Sequence, residues 1–267
     1  MRTIGEFSLK EIDELSYFDY FASIGGATLH PGGPLTTIEV LHHVALSPDE
    51  LLLEVGCGTG ATTLLLLKSG FNIRSCDINP RMVAATENRC QKEGYLFFHP
   101  DLASSEQLPY EDNTFRVVLL EAVFGFIKDF ERAFRELKRV LKPNGYLAFV
   151  DMHYKSTPPS GVVEELGKIF GNPLPVLYEA DWFTIFQKLR KIHWNTYDYP
   201  RGNYGKINDH LLQEKLKSEI PDEEKREEVF RALLNKFGVY ESALNRNRQY
   251  LKYHVGIWQL INKDEVQ

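Results

Sequence analysis

From Leu51 onward the chain repeats one pattern. A short apolar run is followed by a break, and then by a longer segment with apolar residues at helical spacing. The runs "LLLEVGC", "FNIRSCDI", "YLFFHPD", "FRVVLLEAVF" and "YLAFVDMHY" read as five strands. Between them, "TGATTLLLLKSG", "PRMVAATENRCQKEG" and "DFERAFRELKRVLKPNG" read as helices. The last of these sets Phe130, Ala133, Phe134, Leu137, Val140 and Leu141 on one face. Apolar strands alternating with helices predict a mostly parallel sheet covered on both sides.

The flanks follow other rules. "SLKEIDELSYFDYFAS" has helical spacing with Ser8 as its cap, "GGATLHPGGP" interrupts it, and "LTTIEVLHHVAL" reads as a short helix. After Tyr154 a loop rich in proline and glycine carries a short helix, "YEADWFTIFQKLRK" reads as a helix and "IHWNTYDYP" as a strand. Residues 201–250 are polar and mostly helical, and "YHVGIWQLINK" is a final strand. The expected architecture is an α/β, doubly wound, seven-stranded and mostly parallel sheet. It has an N-terminal helical cap over residues 1–48, a Rossmann-like core over 49–154, and the remaining sheet with a helical insert over 155–267, all as one domain. Both additions are positioned to cover the carboxyl ends of the strands, where ligands bind in such sheets.

Composition narrows the function. With 267 residues, 43% of them hydrophobic, and a net charge of −6, the chain can bury a large core and has no overall basic field for nucleic acid or an anionic membrane. Cys57, Cys76 and Cys90 show neither paired spacing nor a zinc pattern, so no metal site is expected and a reducing, cytoplasmic setting is. The N-terminus lacks the apolar core of a signal peptide, and no run is long enough to span a bilayer.

The densest chemistry lies in "EVGCGTGATT", Glu54 to Thr63. Gly56, Gly58 and Gly60 form a tight strand-to-helix turn. A dinucleotide fingerprint places its third glycine one residue later, at Ala61, and alanine is tolerated there, so the spacing leaves the cofactor open. Glu54 discriminates: a pyrophosphate avoids a neighbouring carboxylate, whereas a ligand with an ammonium group suits one. S-adenosylmethionine carries an ammonium and a sulfonium and no phosphate.

At these residues the chain resembles the class I S-adenosylmethionine-dependent methyltransferases. "EVGCGTG" looks like their first motif, and "PDLASSEQLPYEDNTFRVV" and "RELKRVLKPNGYLAFVD" resemble the segments that follow, over about residues 50–153. The resemblance implies that Asp77 binds the ribose hydroxyls, Ile78 lies against adenine, Asp101 meets its amino group and Leu102 offers a backbone contact. Glu121, with Phe124 and Phe126, would stand where acceptor and cofactor meet. His153 is a weak general-base or acceptor-binding candidate, and His30 and Tyr20 are candidates to line the acceptor site. Arg116 and Asn144 depart from the family pattern at positions read as structural. The reading is therefore methyl transfer to a small-molecule acceptor by direct displacement, leaving S-adenosylhomocysteine. A non-catalytic S-adenosylmethionine-binding protein and a nicotinamide-dependent oxidoreductase remain as alternatives.

Overall fold

The computed structural model of the protein describes residues 2–26, 30–199 and 209–261. Its seven-stranded sheet comprises β1 (Leu51–Val55), β2 (Asn72–Asp77), β3 (Asp101–Leu102), β4 (Phe115–Glu121), β5 (Leu141–Tyr154), β6 (Arg190–Asp198) and β7 (Leu251–Gln259), in the order β3-β2-β1-β4-β5-β7-β6. Strands β1 to β5 pair in parallel, and β7 runs antiparallel between β5 and β6. The helices are α1 (Leu9–Glu14), α2 (Tyr17–Ile24), α3 (Pro34–His43), α4 (Ala61–Lys68), α5 (Pro80–Lys92), α6 (Phe130–Val140), α7 (Ser160–Phe170), α8 (Glu179–Ile185), α9 (Asp209–Glu219) and α10 (Glu223–Arg248).

Alternation along the strands divides the core. Leu53, Val118 and Leu120 pack on one side with Phe134 and Leu137 of α6 and Trp182 of α8. Leu52, Val117 and Leu119 pack on the other with Val40 of α3 and Leu66 of α4. A third cluster stands apart from the sheet: Ile4, Phe7, Ile12 and Tyr20 pack with Leu216 of α9 and Val229 and Leu233 of α10. The cap is thus built jointly from two regions more than 200 residues apart in sequence, as in the hydrogen bond from the Tyr20 hydroxyl to the Leu233 carbonyl.

Two elements differ from expectation. The third strand is not "YLFFHPD": only Asp101 and Leu102 pair with β2, and Phe97 is 93% exposed. Tyr95 and Phe98 instead donate to Cys90 and Tyr95 carbonyls in tight turns, and Pro100 has no N–H to offer a ladder. The first helix is two, because Ser16 accepts from the Asp19 N–H and starts α2 afresh. The last long helix runs through Gly238 to Arg248, in keeping with the helical reading of that region. No described helix is long and apolar enough to cross a membrane.

Arg116 and Asn144 act on the fold. The Arg116 guanidinium donates to the Ala45 and Asn144 carbonyls at 3.1 and 2.9 Å, and Asn144 takes a φ of 59° in the turn that leads into the paired part of β5.

Candidate active site

The parallel strands end at one edge, and the loops leaving them converge there. The glycine turn after β1 is pinned from β2, because the Gly56 and Cys57 N–H groups both donate to the Cys76 carbonyl, at 2.8 and 3.0 Å. Gly56, Gly58 and Gly60 all take positive φ, at 81°, 56° and 80°. A Cβ on Gly60 would meet Thr86 at 2.9 Å, whereas one on Gly58 would meet nothing within 4 Å. Gly58 therefore faces open space in the cavity described below, and its N–H donates to Asp77 Oδ2 at 2.9 Å. The other Asp77 oxygen accepts from the Asn79 N–H at 2.8 Å. Burial raises the pKa of the Asp77 carboxyl, and these backbone donors oppose the rise.

At the end of β4, Glu121 is the centre of a buried polar cluster. Thr37 Oγ1 of α3 donates to its Oε1 at 2.7 Å, and Thr62 Oγ1 of α4 donates to its Oε2 at 2.6 Å. His30 Nε2 lies 3.4 Å from the same Oε2, with both side chains almost fully buried. The next residue, Ala122, has a φ of 55°, an uncommon conformation for a side chain with a Cβ. Asp151 of β5 holds the following turn: its Oδ2 accepts from the Phe124 N–H at 3.1 Å and its Oδ1 from the Met152 N–H at 2.8 Å. Burial pushes the Asp151 carboxyl up to about 6.

These groups line a cavity of about 990 Å³. Its floor is Gly56, Gly58, Asp77, Ile78, Glu121 and Asp151. Its roof is the cap, with Tyr17, Phe18 and Phe21 of α2, Phe170 of α7 and Phe237 and Leu244 of α10. His30 and Pro31 close one side, and Ala103, Ser104 and Glu106 another.

A family described as "Methyltransferase domain" matches residues 53–149. An uncharacterised methyltransferase of Bacillus subtilis, YodH, is 32% identical over 172 residues, 64% of this chain and 72% of that protein. The chain belongs to the class I S-adenosylmethionine-dependent methyltransferases. A demethylmenaquinone methyltransferase of Corynebacterium glutamicum is 28% identical over 164 residues, 56% of this chain and 68% of that one. Among solved structures, a Haemonchus contortus phosphoethanolamine N-methyltransferase, in complex with phosphomonomethylethanolamine and S-adenosylhomocysteine, shares the fold. Its TM-score is 0.65, with 16% identity, covering 96% of this chain and 61% of that one. Membership disposes of the nicotinamide alternative: the protein is a methyltransferase, and its family implies S-adenosylmethionine as the methyl donor.

The methyltransferase brings some expected residues to the cavity and turns others away. Gly56, Gly58, Asp77, Ile78, Glu121 and His30 line it. Glu54 does not; its Oε2 lies beneath the glycine turn and accepts from Thr63 Oγ1 at 2.5 Å and Ser75 Oγ at 2.9 Å. Burial pushes the Glu54 carboxyl up to about 8, although both hydroxyls oppose this. The carboxylate beside the turn that does face the cavity from β4 is Glu121. Gly60 packs against α5, and Asp101 accepts from the Tyr110 hydroxyl at 2.8 Å; Asp101 and Leu102 both stand off the wall, which passes through Ala103 instead. Tyr20 and Phe124 are core residues, whereas their neighbours Tyr17 and Phe126 line the cavity.

His153 also lies outside the cavity wall. Its Nδ1 is 3.1 Å from His254 Nδ1, and its ring packs beside Trp194. Burial lowers its pKa and lowers that of His254 further. The sequence reading missed Thr37, Thr62 and Asp151. Asp151 was detectable as an acid at the end of a strand two residues before His153. The threonines were not, because each meets Glu121 across 84 and 59 residues of chain respectively.

Proposed function

We propose that this methyltransferase transfers the methyl group of S-adenosylmethionine to a small-molecule acceptor enclosed between the glycine turn and the helical cap. The observation that carries this reading is the cavity itself. Its volume of about 990 Å³ is near the top of the roughly 300–1,000 Å³ typical of ligand sites, which leaves room for a donor and a second molecule. The acid-lined floor, the net charge of −6 and the apolar roof support a small acceptor over nucleic acid. Three free, buried cysteines support a reducing compartment such as the cytoplasm.

The residues on the floor fit the donor. Gly58 leaves open space where any other residue would project a Cβ, and Asp77, with a backbone donor on each oxygen, keeps lone pairs for ribose hydroxyls. Ile78, 70% exposed on the wall, offers an apolar edge to adenine. Glu121, held by two hydroxyls and His30, presents negative charge toward the cationic methionine end. The donor, when bound, supplies a methyl group already activated by its sulfonium. The protein's share is alignment and exclusion of water, which requires no covalent nucleophile. If the acceptor must lose a proton, Asp151 is the candidate to take it, because the residue lines the cavity and burial pushes its carboxyl up to about 6.

Calorimetric titration with S-adenosylmethionine and S-adenosylhomocysteine tests the reading. Both should bind, and Asp77→Ala should weaken both by about tenfold or more, the scale of a lost charge-assisted hydrogen bond. Unchanged affinity in Asp77→Ala would sink the ribose assignment.

A further inference from the structure

The cap end of the cavity has one feature that donor binding does not use. Helix α10 presents Phe237, Glu241, Leu244 and Arg248 along one stripe, and all four line the wall. Phe18, Phe21 and Phe170 line the same end. In these apolar surroundings Glu241 Oε1 is buried and has no hydrogen-bond partner. Five buried side-chain atoms among the described residues lack one, on Ser23, Arg81, Trp182, Glu241 and His254, and of these residues Glu241 alone is on the cavity wall. Arg248 does not supply the partner: its Nη1 donates to Asn245 Oδ1 at 2.6 Å and its guanidinium lies 5.9 Å from the Tyr199 ring centre.

A buried carboxylate oxygen without a partner is costly, and natural proteins keep such groups where something completes them. A hydroxyl donor would satisfy the lone pair and leave the charge. A cation satisfies both. The remaining charges on the wall point the same way, with Asp77, Glu106, Glu121 and Asp151 against Lys128 and Arg248. We propose that the acceptor is an apolar molecule carrying a positively charged group such as an ammonium, and that Glu241 selects it by pairing with that group. This rests on the function proposed above. The charged group need not be the atom that is methylated.

The test uses the full-length protein saturated with S-adenosylhomocysteine and three probes of equal chain length: decylamine, decanol and decanoate. Calorimetry should show decylamine binding about tenfold more tightly than decanol, with decanoate weakest. In Glu241→Gln, which keeps the shape, decylamine affinity should fall to that of decanol, while affinities for decanol and S-adenosylhomocysteine hold. Equal binding of decylamine and decanol to the unmodified protein would overturn the proposal without any variant. So would an amine preference that survives in Glu241→Gln, or tightest binding of decanoate, which would mark Arg248 as the selecting residue. If S-adenosylhomocysteine binds and none of the probes does, the charged-acceptor proposal fails and the donor site stands. If S-adenosylhomocysteine itself does not bind, both fail.

Discussion

Gly56 and Val123 meet so closely that no side chain fits between them: a Cβ on Gly56 would lie 2.3 Å from Val123 Cγ2. The turn after β1 and the turn after β4 are therefore packed directly on one another at the cavity floor. Gly56→Ala adds this clash to an unfavourable φ of 81° and should cost roughly 2–4 kcal/mol. Thermal denaturation should show a Tm lower by several degrees. Gly58→Ala has the same kind of φ and no clash, so it should cost only about 1–2 kcal/mol. Its main effect should be weaker S-adenosylhomocysteine binding by titration. Similar Tm losses in the two variants would contradict this packing.

Asp151 titrates at about 6 and lines the cavity. If it removes the acceptor's proton, the methyl-transfer rate should rise with pH through about 6 and then level, because the ionised form accepts the proton. Asp151→Asn should abolish that limb and lower the rate by about 10²–10⁴-fold. Radiolabelled methyl transfer across a pH series is the measurement. A limb at the same position in the variant would assign it to another group.

Glu54 makes the opposite demand on the fold. Its carboxyl titrates at about 8 in the native protein against an ordinary value of 4.5. Between those values the folded state holds a proton that the unfolded state has lost, so stability from this group falls as pH rises through the window. Glu54→Gln keeps an oxygen to accept from Thr63 and Ser75 and removes the ionisation. The variant's Tm should match the parent's near pH 5 and exceed it increasingly up to about pH 8. A constant Tm difference across the series would show that the buried carboxyl does not titrate this way.

The buried histidine pair responds to acid. Both His153 and His254 have pKa values lowered from an ordinary 6.5 by burial, with Glu179 and Lys252 the charged groups that act on His153. Below about 6.5 the unfolded chain gains protons that the native pair resists, so stability is lost as pH falls. His254 also carries a buried Nε2 without a partner and stacks on Trp194 at 4.2 Å. His254→Phe should retain the stacking, flatten the loss of Tm on acidification, and cost little at pH 8. An unchanged acid slope would place the sensitivity elsewhere.

The fold was largely legible because each layer obeys a local rule. The strand runs, the glycine turn and the amphipathic α6 announce themselves within a few residues. "YLFFHPD" misled because an apolar run of the right length is not a strand when turns close it and proline ends it. The floor of the cavity was legible where the glycine motif and the acid that ends β2 supply it, at Gly56, Gly58 and Asp77. The rest depends on which way a strand end or helix face turns. Tyr17 and Tyr20 are one helical turn apart, yet only Tyr17 reaches the cavity. Glu54 and Glu121 both end strands beside the glycine turn, and only the second faces the cavity. Glu241 sits in a helix so polar that its sequence reads as a solvated surface, and only the packing of α10 into the cap above the cavity gives it a buried oxygen.

The position of β7 between β5 and β6 also sets a timetable for synthesis. Strands β1 to β5 can pair as they leave the ribosome, but β6 has no neighbour to join until β7 arrives some 50 residues later. The cap waits for the same segment, since Ile4 and Tyr20 pack against α9 and α10. At roughly 5–20 residues per second the half-built sheet is left with an open edge for several seconds. During that interval the nascent chain exposes the apolar faces that Trp258 and Ile257 later cover, which makes it a natural client for chaperones.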